Sequence, residues 1–265
     1  MTAWRTIRRV VALLVACLVL PTAAWAQRDL GVIIVYGKKG TPSQGLNVIQ
    51  SNLQSAGAKV VMPAMPWGGG RWSSIDATVE DVLALIDAQA AQLRSQGAGR
   101  IVLIGQSLGS AVSLGSAAER ANLAGLVMTA PGHATGRRQD TGKGAAVDHA
   151  RTLVEQGKGN QTVTGPDANQ GQSITMSVRA AVYYSWFNPR GLASMQHEAR
   201  RRSASTPLLM VVGEKDTTIR DAEEQLYRPA AKHPYSKYLP NGANHEETPM
   251  ASAKAITEWV IGLPK

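Results

Sequence analysis

A serine enclosed by glycines is the residue of this sequence whose setting points most directly to chemistry. Ser107 is the centre of Gly105-Gln106-Ser107-Leu108-Gly109, which matches the pattern G-x-S-x-G. In this pattern the chain turns so tightly that the glycines leave room for close backbone approach, and the serine hydroxyl stands clear of the turn. A hydroxyl is a weak nucleophile unaided, so catalysis at Ser107 requires a base and an acid that orients the base.

Both partners occur later in the chain, in two short polar segments. Asp216 ends the segment 213–216 (GEKD), and His245 ends the segment 241–245 (NGANH). Each segment follows an apolar run typical of a strand, so in a parallel sheet both side chains would lie at the same edge as Ser107. Taken singly, Asp216 is equally compatible with a solvated loop carboxylate, and His245 with a residue that caps the closing helix. The catalytic interpretation depends on the three residues together.

The other histidines do not form a second centre. None of them has the spacing of zinc ligands, and no cofactor motif is present, so the sequence predicts neither a metal nor a cofactor. We interpret these residues as surface residues or parts of a cap: His133, His149, His197 and His233.

The apolar pattern alternates between strand and helix, which is typical of an α/β protein with a mainly parallel sheet and helices on both faces. Six strands are predicted, at 30–36, 59–63, 100–104, 123–129, 207–212 and 236–239. Helices are predicted at 43–56, 75–96, 108–121, 221–231 and 248–261. Ser43 can cap the first of these helices. Ser107 therefore lies on the turn between the third strand and the third helix.

Residues 132–205 interrupt this regular pattern. They are polar, rich in Gly, Gln and Asn, and show no repeating strand signal. A stretch of this length inside a compact domain is usually a functional insertion. We predict that it forms a small cap or lid with helices near 145–156 and 173–186. The mature chain, 27–265, is long enough for one well-buried core, so we expect a single domain that includes this insertion.

The first 26 residues have the features of an export signal. Three arginines precede the apolar run 10–20, and Ala24-Trp25-Ala26 offers small residues at the cleavage positions. We expect a periplasmic or secreted protein whose mature chain begins at Gln27. A second interpretation stays open, because Leu14–Cys17 resembles a lipobox in which Cys17 would carry a lipid anchor. Since Cys17 is the only cysteine, the mature domain would lack disulfides and thiolate chemistry.

The formal net charge of the chain is +9, and two arginine runs, 137–138 and 200–202, hold part of it. These runs could form a solvated basic face, or they could contact an anionic envelope surface or an anionic substrate. No zinc-finger spacing or aromatic-basic pattern supports nucleic-acid binding, so nucleic acid is not an expected partner.

The motifs GQSLG, GEKD and GANHE, each after its own strand, resemble those of the α/β-hydrolase family over nearly the whole mature chain. The resemblance implies that Ser107 attacks a carbonyl carbon, that His245 takes and returns the proton, and that Asp216 orients the imidazole. Glu214 is the alternative acid. Only a few residues precede the first strand at Leu30, so the two leading strands of the full fold are missing and the chain is a trimmed variant.

The resemblance also implies two backbone N–H groups that bind the oxyanion of the tetrahedral intermediate. One is the N–H of Leu108, which follows the serine. The other is the N–H of Lys38, in Tyr36-Gly37-Lys38, where members of the family often have His-Gly in place of Tyr36-Gly37.

Aromatic residues follow the second strand and recur in the insertion. We expect them either to line the acyl pocket or to anchor loops to the core. The candidates for the pocket are Trp67, Trp72 and Trp186, with Tyr183, Tyr184 and Phe187 beside them.

Together these features predict an exported serine hydrolase that cleaves carboxylic esters or related acyl compounds through an acyl-enzyme. Its substrate would be a small or polymeric acyl compound, and thioesters, lipids, polyesters or peptides would use the same machinery. The alternative is a non-catalytic binding or envelope-interaction protein on a hydrolase scaffold, because a fold does not fix a function.

Overall fold

The computed structural model describes residues 27–119, 123–133, 135, 143–219, 221–230 and 233–264. The predicted export signal at 1–26, with Cys17, lies outside these residues and stays a prediction. The same holds for the arginines at 137–138. None of the helices in the described part combines the length and the apolar composition that a membrane crossing requires.

A parallel sheet of six strands forms the centre of the molecule. In chain order the described strands are β1 (Leu30–Val35), β2 (Lys59–Val61), β3 (Arg100–Ser107), β4 (Gly125–Pro131), β5 (Thr162–Asn169), β6 (Gln172–Arg179), β7 (Leu208–Gly213) and β8 (Lys237–Asn241). The sheet order is β2-β1-β3-β4-β7-β8, and β5 pairs with β6 in a separate antiparallel hairpin. The four inner strands are buried along almost their whole length, as expected for a sheet covered on both faces. The predicted six-stranded α/β fold is confirmed.

Helices cover the sheet and fill the connection between β4 and β7. They are α1 (Gln44–Ser55), α2 (Val79–Ser95), α3 (Leu108–Glu119), α4 (Lys143–Glu155), α5 (Ala180–Phe187), α6 (Met195–Arg201), α7 (Arg228–Ala230), α8 (Thr248–Ala251) and α9 (Ala253–Ile261). A 3-10 helix spans Gly68–Ser74, and a π-helical turn spans Glu223–Tyr227. Helix α1 packs against α8 and α9, whereas α2 packs against β1 and α3.

Side-chain caps fix the starts of the two helices that follow β1 and β2. The hydroxyl of Ser43 accepts a hydrogen bond from the N–H of Leu46, as predicted. Helix α2 begins later than its predicted start at 75, because Thr78 and Asp81 form a reciprocal capping box. The apolar residue at position 75 therefore precedes the helix, although it shares the helical spacing.

The helix predicted at 173–186 is wrong over its first half, where the chain forms β6. Its partner in the hairpin, β5, gave no strand signal in the sequence either. The inward-facing residues of β5 are Val163, Gly165 and Asp167. Only the first of these is a large apolar residue, so the period-two signal of a strand is lost in the sequence. Helix begins only at Ala180. The insertion between β4 and β7 therefore consists of α4, the hairpin, α5 and α6, and its movement as a lid stays a prediction.

Smaller differences concern the ends of elements. Strand β3 extends beyond its predicted end at 104 to include Ser107. The helix predicted at 221–231 is a π-helical turn followed by the single turn α7. The closing helix is broken at Ser252 into α8 and α9.

The basic run at 200–202 does not form a continuous surface patch. Arg201 makes ion pairs with Glu198 and Glu119, with N···O distances of 2.8 Å and 2.7 Å. Arg202 is only 2 % exposed, its guanidinium donates to backbone carbonyl groups, and burial lowers its pKa to about 10. This arrangement weakens the expectation that the run contacts an anionic surface.

Helix α3, which follows Ser107, is held by a close approach to the insertion, and Gly115→Ala should disrupt it. A Cβ at Gly115 would overlap the carbonyl oxygen of Leu192. The helix must then shift, so we expect the free energy of unfolding to fall by about 1–3 kcal/mol. The matched control is Gly144→Ala in α4, where no described atom lies within 4 Å of the added methyl group; it should stabilise by about 0.5 kcal/mol. Urea unfolding measures both, and equal effects would contradict the packing argument.

Candidate active site

Ser107 lies on a strained turn between β3 and α3. Its φ angle is +53°, a left-handed conformation that residues other than glycine seldom adopt. A Cβ on Gly105 would overlap the carbonyl oxygen of Gly109, and a Cβ on Gly109 would overlap that of Val35. The glycines of GQSLG are therefore required by backbone contacts, and these contacts hold the serine hydroxyl at the carboxyl edge of the sheet.

The structure brings Ser107, His245 and Asp216 into one chain of hydrogen bonds. The distance from Nε2 of His245 to Oγ of Ser107 is 3.0 Å, and the distance from Nδ1 of His245 to Oδ2 of Asp216 is 2.6 Å. Ser107 is the last residue of β3, His245 follows β8 and Asp216 follows β7. Ser107 and His245 are both buried. Because a carboxylate accepts from Nδ1–H, Nε2 is free to accept the proton of the serine hydroxyl.

Thr218 fixes the aspartate, and the sequence analysis did not identify it. Its N–H donates to Oδ1 of Asp216 at 2.8 Å, and its hydroxyl lies 3.1 Å from Nδ1 of His245. Burial alone would raise the pKa of Asp216, but the hydrogen bonds from His245 and Thr218 outweigh it and hold this pKa below its ordinary value. Aspartate side chains often accept a hydrogen bond from the N–H two residues later, in an Asx-turn. The spacing of Asp216 and Thr218 was therefore the sequence feature that could have indicated this contact. Glu214, the alternative acid, is exposed.

Two further glycines keep the space beside the serine open. A Cβ on Gly132 would lie 2.8 Å from Oγ of Ser107 and 3.3 Å from Cε1 of His245. A Cβ on Gly37 would lie 2.9 Å from Cβ of Ser107. A side chain at either position would therefore collide with Ser107.

A cavity of about 290 Å³ opens onto this space. Ser107 and His245 border it, together with Gly37 and Lys38 from the loop after β1. Leu108 is the first residue of α3, where the helix dipole favours negative charge. The two predicted oxyanion donors, the N–H groups of Leu108 and Lys38, therefore belong to segments beside the serine, and their role stays a prediction.

A larger cavity, of about 660 Å³, also borders His245, and most of its lining residues carry polar or charged side chains. The segment 215–218, which includes Asp216, forms one side, and Asn244 to Glu247 form another. The insertion contributes Lys143, Asp167 and the hairpin turn at Gln170 and Gly171. The hairpin turn thus borders the same cavity as Asp216 and Thr218, which contact His245.

The structure does not place the three candidate tryptophans in the walls of these two cavities. Trp67, Trp72 and Trp186 are at most 3 % exposed and pack edge to face, with ring centroids 5.7 Å apart for Trp67–Trp186 and 5.0 Å for Trp72–Trp186. Each indole N–H has an internal acceptor, so the rings have no polar edge to offer a ligand. Tyr183 and Phe187 are also buried, and Tyr184 is half-buried. These contacts fit the other interpretation, in which the aromatic residues anchor loops to the core.

A buried carboxylate joins the insertion to the loop after β1, which no local sequence pattern indicated. Oδ2 of Asp167 lies 2.5 Å from Nζ of Lys38, and Oδ1 lies 3.0 Å from Nζ of Lys143. The indole N–H of Trp72 donates to the same Oδ2 at 2.8 Å. Burial alone would raise the pKa of Asp167, but the neighbouring charges, Lys38 first, outweigh it and hold this pKa well below its ordinary value. Burial lowers the pKa of Lys38 despite the carboxylate.

His133 is a buried residue at the base of the insertion, in agreement with a cap position and not with a surface one. Its φ angle is +94°, and its Nε2 donates to the carbonyl oxygen of Trp186 at 2.7 Å. Burial lowers its pKa to about 3, so the ring is neutral at neutral pH. The described part of the chain contains no group of three or more His, Cys, Asp or Glu side chains that could hold a metal ion. Among the histidines outside the site, His149 is exposed, whereas His197 and His233 are half-buried.

Comparison with known families gives one match. The family model described as serine aminopeptidase, S33, matches residues 67–248. The matched range is more than half of the chain and contains Ser107, Asp216 and His245. A comparison with curated protein sequences gives no match.

Several solved structures share the fold. A monoacylglycerol lipase from Paleococcus ferrophilus has a TM-score of 0.64 and 20 % identity, over 88 % of this chain and 95 % of its own. The protein Est1E from Butyrivibrio proteoclasticus, solved with ferulic acid bound, has a TM-score of 0.59 and 18 % identity, over 88 % of both chains. A thermostable carboxyl esterase from Bacillus coagulans has a TM-score of 0.59 and 15 % identity, over 87 % of both chains. At these identities the likeness concerns the fold.

The lowered pKa of Asp167 predicts how stability depends on pH. A carboxyl whose pKa is lower in the folded protein stabilises it above the unfolded value of about 4, and this contribution is lost as the pH falls through the folded value. The free energy of unfolding should therefore decrease as the pH falls below about 4. In Asp167→Asn the slope of this free energy against pH should be smaller, by up to about the amount that corresponds to one bound proton. Urea unfolding between pH 2.5 and 6 measures it.

The control for this prediction is Asp76→Asn. Asp76 makes an exposed ion pair with Arg179 on the same hairpin, at 2.6 Å. The free energy of unfolding of Asp76→Asn should depend on pH with the same slope as that of the wild type. An exposed ion pair contributes little to stability. Parallel curves for wild type and Asp167→Asn would contradict the assignment.

Proposed function

Because the chain belongs to the serine aminopeptidase S33 family, we propose that it is a serine hydrolase that cleaves carboxylic esters through an acyl-enzyme on Ser107. The observation that carries this proposal is the hydrogen-bonded chain Ser107–His245–Asp216, with distances of 3.0 Å and 2.6 Å. The lowered pKa of Asp216, whose side chain is 3 % exposed, and the strained turn at Ser107 support it. The work of the enzyme would take place in the periplasm or outside the cell, which the sequence of residues 1–26 supports.

In the proposed mechanism, Oγ of Ser107 attacks the carbonyl carbon of the ester while Nε2 of His245 takes the hydroxyl proton. Asp216 stabilises the imidazolium, and the N–H groups of Leu108 and Lys38 bind the oxyanion. When the tetrahedral intermediate collapses, the C–O bond to the alcohol breaks and Nε2 returns the proton to the alcohol oxygen. Water then attacks the acyl-enzyme with the same proton transfers, and the carboxylic acid and free serine are released.

The cavities favour short or polar acyl groups over long fatty acyl chains. A long alkyl chain requires an apolar tunnel, because apolar surface gains about 25 cal/mol per Å² only where it leaves water. The cavity that Ser107 borders is lined instead mainly by charged and hydrogen-bonding groups, among them Lys39, Asn169 and Glu246. The tryptophans that could form an apolar wall are buried in the core.

Ser107→Ala tests the proposal directly. The wild type should hydrolyse p-nitrophenyl acetate and butyrate faster than the dodecanoate, and a fluorophosphonate should label it. The variant should lose turnover by at least about 10⁴-fold and lose all labelling, because the nucleophile is absent. The control is Ser95→Ala, an exposed serine at the end of α2. Ester hydrolysis and mass spectrometry of the labelled peptide give the result.

The same panel distinguishes the alternatives. Peptide turnover without ester turnover, tested with aminoacyl p-nitroanilides, would replace the esterase proposal by a peptidase. A folded wild type that is neither labelled nor active on any acyl substrate would support a non-catalytic binding protein instead.

The acid of the site can be identified with a matched pair of substitutions. Asp216→Asn should lower kcat by about 10³- to 10⁴-fold, because an amide cannot stabilise the imidazolium and favours the wrong tautomer. Glu214→Gln, two residues earlier and exposed, should leave kcat within about twofold. Steady-state kinetics at neutral pH give both values. The reverse order of effects would make Glu214 the acid.

A further inference from the structure

The peptide group between Gly37 and Lys38 requires an external restraint if its N–H is to bind an oxyanion. Gly37 has no side chain to limit its dihedral angles, and any side chain there would collide with Ser107. The peptide plane could therefore rotate about its neighbouring bonds. A displaced donor loses most of its effect on the transition state, because this effect depends on a short hydrogen bond to the oxyanion.

The first restraint holds the carbonyl end of this peptide group. The carbonyl oxygen of Gly37 accepts from the indole N–H of Trp67 at 2.9 Å and from the N–H of Gly40 at 3.1 Å. In a planar trans peptide the C=O and the following N–H point in opposite directions. Trp67 thus directs the N–H of Lys38 away from the buried aromatic cluster.

The second restraint holds the side chain of Lys38. Its ammonium group lies 2.5 Å from Oδ2 of Asp167 and donates to the carbonyl oxygen of Ala168 at 3.2 Å. Asp167 is fixed in turn by Trp72 and Lys143, which belong to two other elements. Trp67 and Trp72 contact each other with ring centroids 6.4 Å apart. One buried cluster therefore holds the peptide group from both sides.

Stability alone gives no strong reason for this arrangement. A buried ion pair costs desolvation energy that its attraction often only offsets, and apolar residues of similar volume are frequently as stable. The cluster lies beside Ser107 and combines a buried aspartate with indole N–H groups aimed at single acceptors. Such fixed polar contacts define an orientation, which apolar packing does less sharply.

We propose that Trp67 and Asp167 are positioning residues that hold the N–H of Lys38 as an oxyanion donor. The proposal rests on the proposed function. It gives the insertion an indirect part in catalysis, because Asp167 on β5 acts through Lys38. It gives Trp67 a similar part, because this residue acts through the carbonyl oxygen of Gly37 although it does not border either cavity.

Trp67→Phe and Asp167→Asn test the proposal. Trp67→Phe removes the N–H donor and keeps an aromatic ring, and Asp167→Asn removes the charge and keeps the shape. Each should lower kcat by about 10- to 100-fold with KM within about threefold, because only the transition state has an oxyanion. The affinity for an alkyl trifluoromethyl ketone, which forms a tetrahedral adduct with the serine, should fall by the same factor as kcat/KM.

The controls carry the same substitutions at contacts away from the site. Trp259→Phe removes an indole N–H that donates to the carbonyl oxygen of Tyr235 at 3.0 Å. Asp76→Asn removes the exposed ion pair on the same hairpin. Both should leave kcat and ketone affinity within about twofold. Fluorophosphonate titration gives the fraction of active sites, so that misfolded protein is not counted as slow enzyme.

Because both residues act on one peptide group, their effects should be less than additive in the double variant. Ketone affinities that equal the wild type, or that change only as in the controls, would overturn the proposal. Absence of labelling and turnover in the wild type would instead overturn the proposed function, so the two failures are distinguishable.

Discussion

The contact on which the site depends is the close approach of α3 to the end of β1. Gly109 lies so near the carbonyl oxygen of Val35 that no side chain fits between them. This contact sets the turn that holds Ser107 at a φ angle of +53°. It also brings the loop after β1 beside the serine, since Gly37 follows Val35 by two residues. One backbone contact therefore places the proposed nucleophile beside the segment that carries a proposed oxyanion donor.

The remaining parts of the site are fixed by polar contacts within the interior. Thr218 holds Asp216, Asp216 holds His245, and each of these bonds favours a single orientation of the ring. Polar contacts also fix the Gly37–Lys38 segment beside the serine, where Asp167 binds the side chain of Lys38 and Trp67 donates to the carbonyl oxygen of Gly37. Buried polar groups of this kind are costly when unpaired, so each pair strongly favours one arrangement. The strained backbone conformation of Ser107 persists because the close contacts at Gly105 and Gly109 enforce it.

The sequence predicted the sheet and the residues of the chain Ser107–His245–Asp216, because their chemistry needs particular residue types at the ends of strands. It did not predict the hairpin, since the inward series of β5 contains Gly165 and Asp167 and therefore lacks an apolar period. Nor did it predict the pairing of Lys38 with Asp167, which are 129 residues apart. Contacts at that separation leave no local pattern. The same limit explains the tryptophans, whose size suggested a pocket wall, whereas the direction of each indole N–H is decided by the folded chain.

The position of the tryptophans bears on how such a site could change its substrate during evolution. Residues in the wall of a cavity can be replaced with an effect mainly on binding, whereas residues that orient a donor affect every substrate alike. Trp67 and Trp72 belong to the second group if they act through the Gly37–Lys38 peptide and Asp167. The polar walls of the larger cavity come instead from the hairpin turn and from the loops after β7 and β8. Loops and turns tolerate substitution more readily than the core does. Selectivity would therefore vary through these walls, while the buried aromatic cluster preserves the common chemistry.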